Sequence, residues 1–361
     1  MPTETAREVR PFPPAQNQNS FGLLRLLLAA LVVYAHCWYL GGFGDEPLSR
    51  TLFAGAVNLA GIGVQGFFVI SGYLVLQSER RTGNARAFLT NRLLRIYPGL
   101  WFCLALTGLV LPAIVWSLPH AGPAEYRGAV GYFWRNLVLP RSQIDIPGLF
   151  SGMPKAGDLN GSLWTLPYEL GCYGLLGLLG WLGLTRPRSI LPWLAGAALL
   201  ALYLFDVSCP EHALFFKSPG RALCAWFVTG GLCALIPEGV LRPRLGWPWF
   251  LAALGGLLAS SQLGFAAIAG PLLMPIIVLW LAWHLPASRW EQAVGGDYSY
   301  GLYIYAYPVQ QTLAWLGLQR KGVTAYFFGA MILTLPLAIL SWHLIEKAAA
   351  RLKRRPPAVA A

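Results

Sequence analysis

The stretch FGLLRLLLAALVVYAHCWYL (residues 21–40) is apolar or aromatic throughout except for Gly22, Arg25 and His36. A spanning helix needs about 20 such residues to cross the hydrocarbon core of a bilayer, so this run predicts a membrane helix. No small-residue cleavage site follows it, so it reads as a retained span rather than a signal peptide. Residues 1–20 are polar and proline-containing and read as a cytoplasmic tail. Nine further apolar runs follow, at about 52–76, 97–118, 163–184, 189–206, 221–237, 246–262, 265–285, 298–318 and 323–345. The expected fold is an all-α integral membrane bundle of about ten transmembrane helices. It would occupy 21–346, with a basic cytoplasmic tail at 347–361 and no second soluble domain. Between the third and fourth runs lies a stretch rich in Pro, Gly and aromatics, about 119–162. A connection of this length is usually functional, so it is expected to be an outer lid or acceptor-binding segment.

Composition agrees. Of the 361 residues, 56% are hydrophobic and 12% charged, against about 25% charged in soluble domains. Too little polar side chain remains to coat a globule of this size. The net charge of +12 does not point to nucleic acid, because the basic residues lie mainly between apolar runs. Arg7, Arg10, the arginines from Arg80 to Arg95, Arg186, Arg188, Arg242, Arg244, Arg289 and the cluster from Lys347 to Arg355 fall on one side of a ten-span topology. Fewer fall on the other: Arg50, Arg127, Arg135, Arg141, Lys155, Lys217, Arg221, Arg320 and Lys321. The positive-inside bias then places both termini in the cytoplasm. Cysteines at 37, 103, 172, 209, 224 and 233 form no CxxC pair and read as packing residues, with no metal site.

Three segments carry chemistry. Arg25 and His36 are eleven residues apart, roughly 16 Å along a helix and on nearly the same face. Ionisable groups inside a span are usually functional, although a snorkelling arginine and a packed histidine would also fit. In NRLLRIYP (91–98), Arg92 and Arg95 share a face. Guanidinium forks suit phosphate, and positive-inside flanking charge is the alternative. In GSLWTLPYELGCYG (161–174), Glu169 lies about 10 Å inside the fourth run, at a depth matching His36. A His36–Glu169 pair is expected, with an ion pair to Arg25 or Arg135 as the structural alternative. Ser71 and Tyr73 read as packing.

Together these segments resemble the acyltransferase-3 family of bacterial membrane O-acyltransferases. GVQGFFVISGYL (63–74), DYSYGLYIYAYPV (297–309) and HLIEKAAARLKRR (343–355) are similar to further segments of that family, in the same order. The resemblance runs from about residue 20 to 350. It implies an acyl-CoA donor, by default acetyl-CoA, no bound cofactor, and a glycan or lipid-linked oligosaccharide acceptor outside a bacterial cytoplasmic membrane. The family's Arg-x10-His pattern falls on Arg25 and His36, its Arg-x-x-Arg on Arg92 and Arg95, and its Trp-Thr-Leu-x-x-Glu on Trp164, Thr165, Leu166 and Glu169. Where many members carry a second His, this chain has Ala306. That His is then dispensable, or Tyr305 or Tyr307 takes over its packing. Some members add a soluble hydrolase-like domain; without one, transfer would be completed by the membrane domain.

The expected mechanism follows. Arg92 and Arg95, with Arg25 near, hold the CoA phosphates at the inner mouth. The pantetheine arm threads inward to His36, the general base for the acceptor hydroxyl, with a covalent acyl-His36 intermediate as the alternative. Glu169 orients the imidazole, and Trp164 stacks on the sugar. A transporter or flippase, or a non-enzymatic component of a polysaccharide-assembly complex, are the competing readings.

Overall fold

The computed structural model describes residues 19–117, 126–150, 152–155, 157–186, 189–216, 218–286 and 296–353. Most of the predicted N-terminal tail, the start of the 119–162 segment and the end of the basic tail lie outside them. Among the described residues there are helices and turns but no strands.

In chain order the α-helices are α1 (Phe21–Leu40), α2 (Pro47–Leu52), α3 (Leu59–Thr82), α4 (Ala85–Ala105), α5 (Leu111–Trp116), α6 (Tyr126–Asn136), α7 (Leu166–Trp181), α8 (Leu191–Ser208), α9 (Pro219–Ala234), α10 (Glu238–Arg244), α11 (Trp247–Gln262), α12 (Ala266–His284), α13 (Ser299–Trp315), α14 (Val323–Ser341) and α15 (Lys347–Arg351). A π turn at Leu106–Val110 joins α4 to α5, and another at Trp342–Glu346 joins α14 to α15. The first stands just ahead of Pro112, whose ring would clash with a carbonyl four residues back in a regular helix.

Six helical stretches are long and apolar enough to cross a bilayer: α1, α3, α4–α5, α8, α12 and α14–α15. A seventh arises if α9 and α10, bent by 106°, count as one broken span. The expected ten is therefore not reached on length and hydropathy. The shortfall lies in α7, α11 and α13, of 16, 16 and 17 residues. In α7 the cause is local: residues Gly161–Thr165 wind as a 3₁₀ turn, so the α-helix starts only at Leu166 with Pro167 in its first turn.

Without a hydrophobic force between helices in lipid, close approach depends on small residues. The crossing of α3 and α9 shows this. A methyl group on Gly72 would strike the Phe227 carbonyl, and one on Gly230 would strike that of Val69. Helix prolines create a second demand, because each frees the carbonyl four residues earlier, which must find a partner in a dry bundle. Pro271 frees Ala267, and the Tyr203 hydroxyl donates to it at 2.7 Å. Pro308 frees Ile304, and the Asn160 amide donates to it at 2.8 Å.

Asn160 belongs to the segment read as a lid. Its described part carries α6, buries Tyr132, Ile146, Leu149 and Phe150, and is tied to α13 again by Gln311, which donates to the Lys155 and Asp158 carbonyls at 2.7 and 3.0 Å. It is a packed wall.

Candidate functional site

Arg25 projects one turn into α1, and Arg92 and Arg95 lie one turn apart on α4. Arg25 and Arg95 converge on one oxygen of Asp297, at 3.0 and 2.7 Å. Arg95 also reaches Glu346 at 3.3 Å. Asp297 precedes α13, where the helix dipole favours an anion, and the Ser299 hydroxyl donates to its other oxygen at 2.5 Å. Burial alone would raise the Asp297 carboxyl; Arg25 and Arg95 reverse this and hold it well below the usual carboxylate range. Glu346, 4% exposed, sits on the second π turn and accepts from Ser341 at 3.0 Å; Tyr305 bonds Ser341 in turn. Both acids stand inside motifs quoted above, yet sequence reasoning gave them no role.

Arg92 is placed differently. It donates to Ser78 at 3.1 Å and lies over the Phe88 ring at 5.9 Å, but no carboxylate lies within ion-pair distance among the described residues, and its Nε is buried without a partner. Lys353 adds a fourth cation. Burial, with Arg95 and Arg92 close by, pushes its ammonium down to about 8. Within the basic tail nothing in the sequence singled it out.

Arg25, Arg92 and Arg95 border one cavity of about 150 Å³. Glu169 borders it too, together with Ser71, Thr165, Tyr173, Ser299, Tyr300 and Tyr303. Glu169 and Tyr173 lie on one face of α7, and the Tyr173 hydroxyl donates to Glu169 in a short hydrogen bond. Ser71 donates to the same carboxylate at 3.2 Å. Ser71 therefore does more than pack. Tyr73 does pack, against Phe21 and Trp283.

The expected His36–Glu169 pair is not formed: no hydrogen bond or ion pair joins them, and His36 does not border the cavity. His36 stands edge-on to the Tyr307 ring, centroids 5.2 Å apart, with Nδ1 buried and without a partner. The cavity stops short of it. Gly63, beside the cavity-lining Val64, packs at Val32, one helical turn or about 6 Å from His36. Tyr300, Tyr303 and Tyr307 are spaced to share one face of α13, so the face that walls the cavity also carries the aromatic contact of His36. Tyr307 thus packs on His36, while Ala306 is buried and Tyr305 serves Ser341. Trp164 is half-buried against Tyr168, centroids 6.3 Å apart. Among the described residues no His, Cys, Asp and Glu cluster has the makings of a metal site.

This arrangement places fixed positive charge, a half-buried carboxylate and tyrosine hydroxyls along one cleft inside apolar helices. Such a cleft can hold an anion at one end and a slender polar chain along its length. Comparison with known proteins agrees with an acyl-transfer role. An acyltransferase domain model matches residues 18–343. Nodulation protein 10 of Rhizobium leguminosarum bv. viciae is 28% identical over 93% of this chain and 94% of its own length. An O-acetyl transferase of Shigella phage Sf6 is 30% identical over 91% of this chain and 95% of its own. No solved structure matches the chain at a significant level. A family model spanning most of a multi-pass helical chain decides the matter: the chain belongs to the acyltransferase-3 family and is a membrane O-acyltransferase.

Proposed function

We propose that this enzyme moves an acetyl group from cytoplasmic acetyl-CoA to a hydroxyl of an extracytoplasmic or lipid-linked glycan in a bacterial inner membrane. In this reading the six full spans, the bent α9–α10 pair and the shorter α7, α11 and α13 make up ten crossings. Both termini are then cytoplasmic, the Arg25 end of α1 lies at the inner face and the His36 end lies outward.

The observation that carries the reading is the cleft bordered by Arg25, Arg92, Arg95 and Glu169. Arg92, with no carboxylate in ion-pair reach among the described residues, and Lys353 suit the CoA phosphates, which cannot enter hydrocarbon. Arg25 and Arg95 keep the mouth positive while Asp297 and Glu346 fix their positions. The pantetheine arm runs along the cleft, where Glu169 accepts from an amide N–H of the arm. This assigns Glu169 to the donor rather than to the imidazole. The thioester passes Tyr303 to reach His36, whose unpartnered nitrogen takes the proton of the acceptor hydroxyl. The alkoxide oxygen attacks the thioester carbonyl, the C–S bond breaks, and the departing thiolate recovers a proton from the imidazolium. Trp164 stacks on the acceptor sugar.

The test is transfer of label from acetyl-CoA to glycan in proteoliposomes. Wild-type protein should label the glycan and His36→Ala should not, at equal insertion. Full activity in His36→Ala would remove His36 from the mechanism.

A further inference from the structure

A second cavity is larger than the cleft that holds the arginines. On the opposite face of α7 lies an apolar groove of about 370 Å³, walled by α7, α8 and α9. It runs from Leu184, Thr185 and Leu235 at one end to Pro167, Phe215 and Arg221 at the other. The stretch of α7 along it, Pro167 to Leu179, is about 18 Å long, a large part of a bilayer leaflet pair.

The charge on this groove is confined to one end. Arg221 binds Ser218 through Nε at 3.2 Å and lies over the Phe215 ring at 5.5 Å. No carboxylate pairs with it among the described residues. The loop that supplies Phe215 and Phe216 is built rather than draped. Asp206, 3% exposed, accepts the backbone N–H groups of Leu214, Phe215 and Phe216 at 2.8, 2.8 and 2.6 Å. A long apolar trough with a cation at a single end matches an amphiphile with an anionic head.

The groove also adjoins the reaction site. Tyr168 lines it and packs on Trp164. The next residue, Thr165, bonds Tyr303 at 2.9 Å, at the far limit of the donor cleft. An anion at Arg221 therefore lies at the His36 end of the bundle, one helix away from the donor path.

We infer that this groove seats the hydrocarbon tail of a polyprenyl-phosphate-linked acceptor, with Arg221 holding the phosphate and the attached sugar led over Trp164 toward His36. The inference deepens the function proposed above and rests on it for the sugar's destination. It selects a lipid-linked glycan over a free polymer as the substrate class.

Binding of a long-chain polyprenyl phosphate to the detergent-solubilised full chain, read by native mass spectrometry with phosphatidylglycerol as competitor, tests it. Arg221→Gln removes the charge while leaving the helix intact. Gly171→Leu fills the groove, since a side chain there meets open space. Each should weaken polyprenyl phosphate binding about tenfold or more, with CoA affinity unchanged. Equal binding by wild type and both variants, or displacement by equimolar phosphatidylglycerol, would overturn the assignment. Loss of CoA binding in Arg92→Gln is measured beside it: if that variant binds CoA normally, the donor reading fails while the groove stands.

Discussion

The two ends of α1 are built on opposite principles. At one end Arg25 shares Asp297 with Arg95, and Arg95 also holds Glu346, so two arginines and two acids fix each other before any substrate arrives. At the other end His36 has an aromatic neighbour and an unpartnered ring nitrogen. At the ionic end each charged group has an opposite charge in reach, although Arg25 keeps its Nε buried without a hydrogen-bond partner; at the His36 end the ring has only an aromatic contact. The difference teaches how each end is held: charge pairs fix the side chains at the ionic end, whereas packing against Tyr307 fixes the imidazole.

This contrast can be broken at several points. His36→Phe keeps a ring against Tyr307 and removes the nitrogen. Transfer should fall by about 10²–10⁴-fold with CoA affinity unchanged in equilibrium binding; if His36 merely packs, activity survives. Arg95→Met strands the buried Glu346 and leaves Asp297 to Arg25 and Ser299 alone, at a cost of about 3–5 kcal/mol. Thermal unfolding in detergent should show it, and adding Glu346→Gln should restore part of the loss. A double variant no more stable than the single one would mean the pair is not coupled. Arg92→Gln disturbs no ion pair among the described residues, so it should raise the donor KM about tenfold and leave the unfolding temperature nearly unchanged. Lys353 gives the smallest effect. A bound anion favours its charged form, so donor affinity should decline as pH rises through about 8, by about two- to fivefold. Lys353→Arg, charged throughout, should flatten that decline; an unaltered midpoint would assign it to another group.

Much of this was legible in the residues. Hydropathy located the helices because the bilayer imposes length and apolarity on each, and α1 begins and ends where its apolar run does. It overcounted full-length spans where a proline or 3₁₀ turn shortens the regular helix, as at Gly161–Thr165 ahead of α7. The clustering of Arg25, Arg92, Arg95 and Glu169 around one cleft follows from charges that have nowhere else to go in an apolar bundle. The His36–Glu169 pair failed for a geometric reason. Residue spacing gives depth along a helix but not the direction that helix faces, and α7 turns Glu169 toward Ser71 on α3. Asp297 and Glu346 were hidden because acids next to span ends look like ordinary loop residues until the fold brings both against Arg95.

The bond from Asn160 to the carbonyl freed by Pro308 has a consequence for evolution and for engineering. It writes one rung of a membrane helix into a connecting segment, so the two pieces are not independent modules. Recombining that segment between relatives without its matching proline would leave either an amide with no acceptor or a carbonyl with no donor in a dry interior. Functional chimeras that swap acceptor preference should therefore have crossover points that carry both stretches from the same parent.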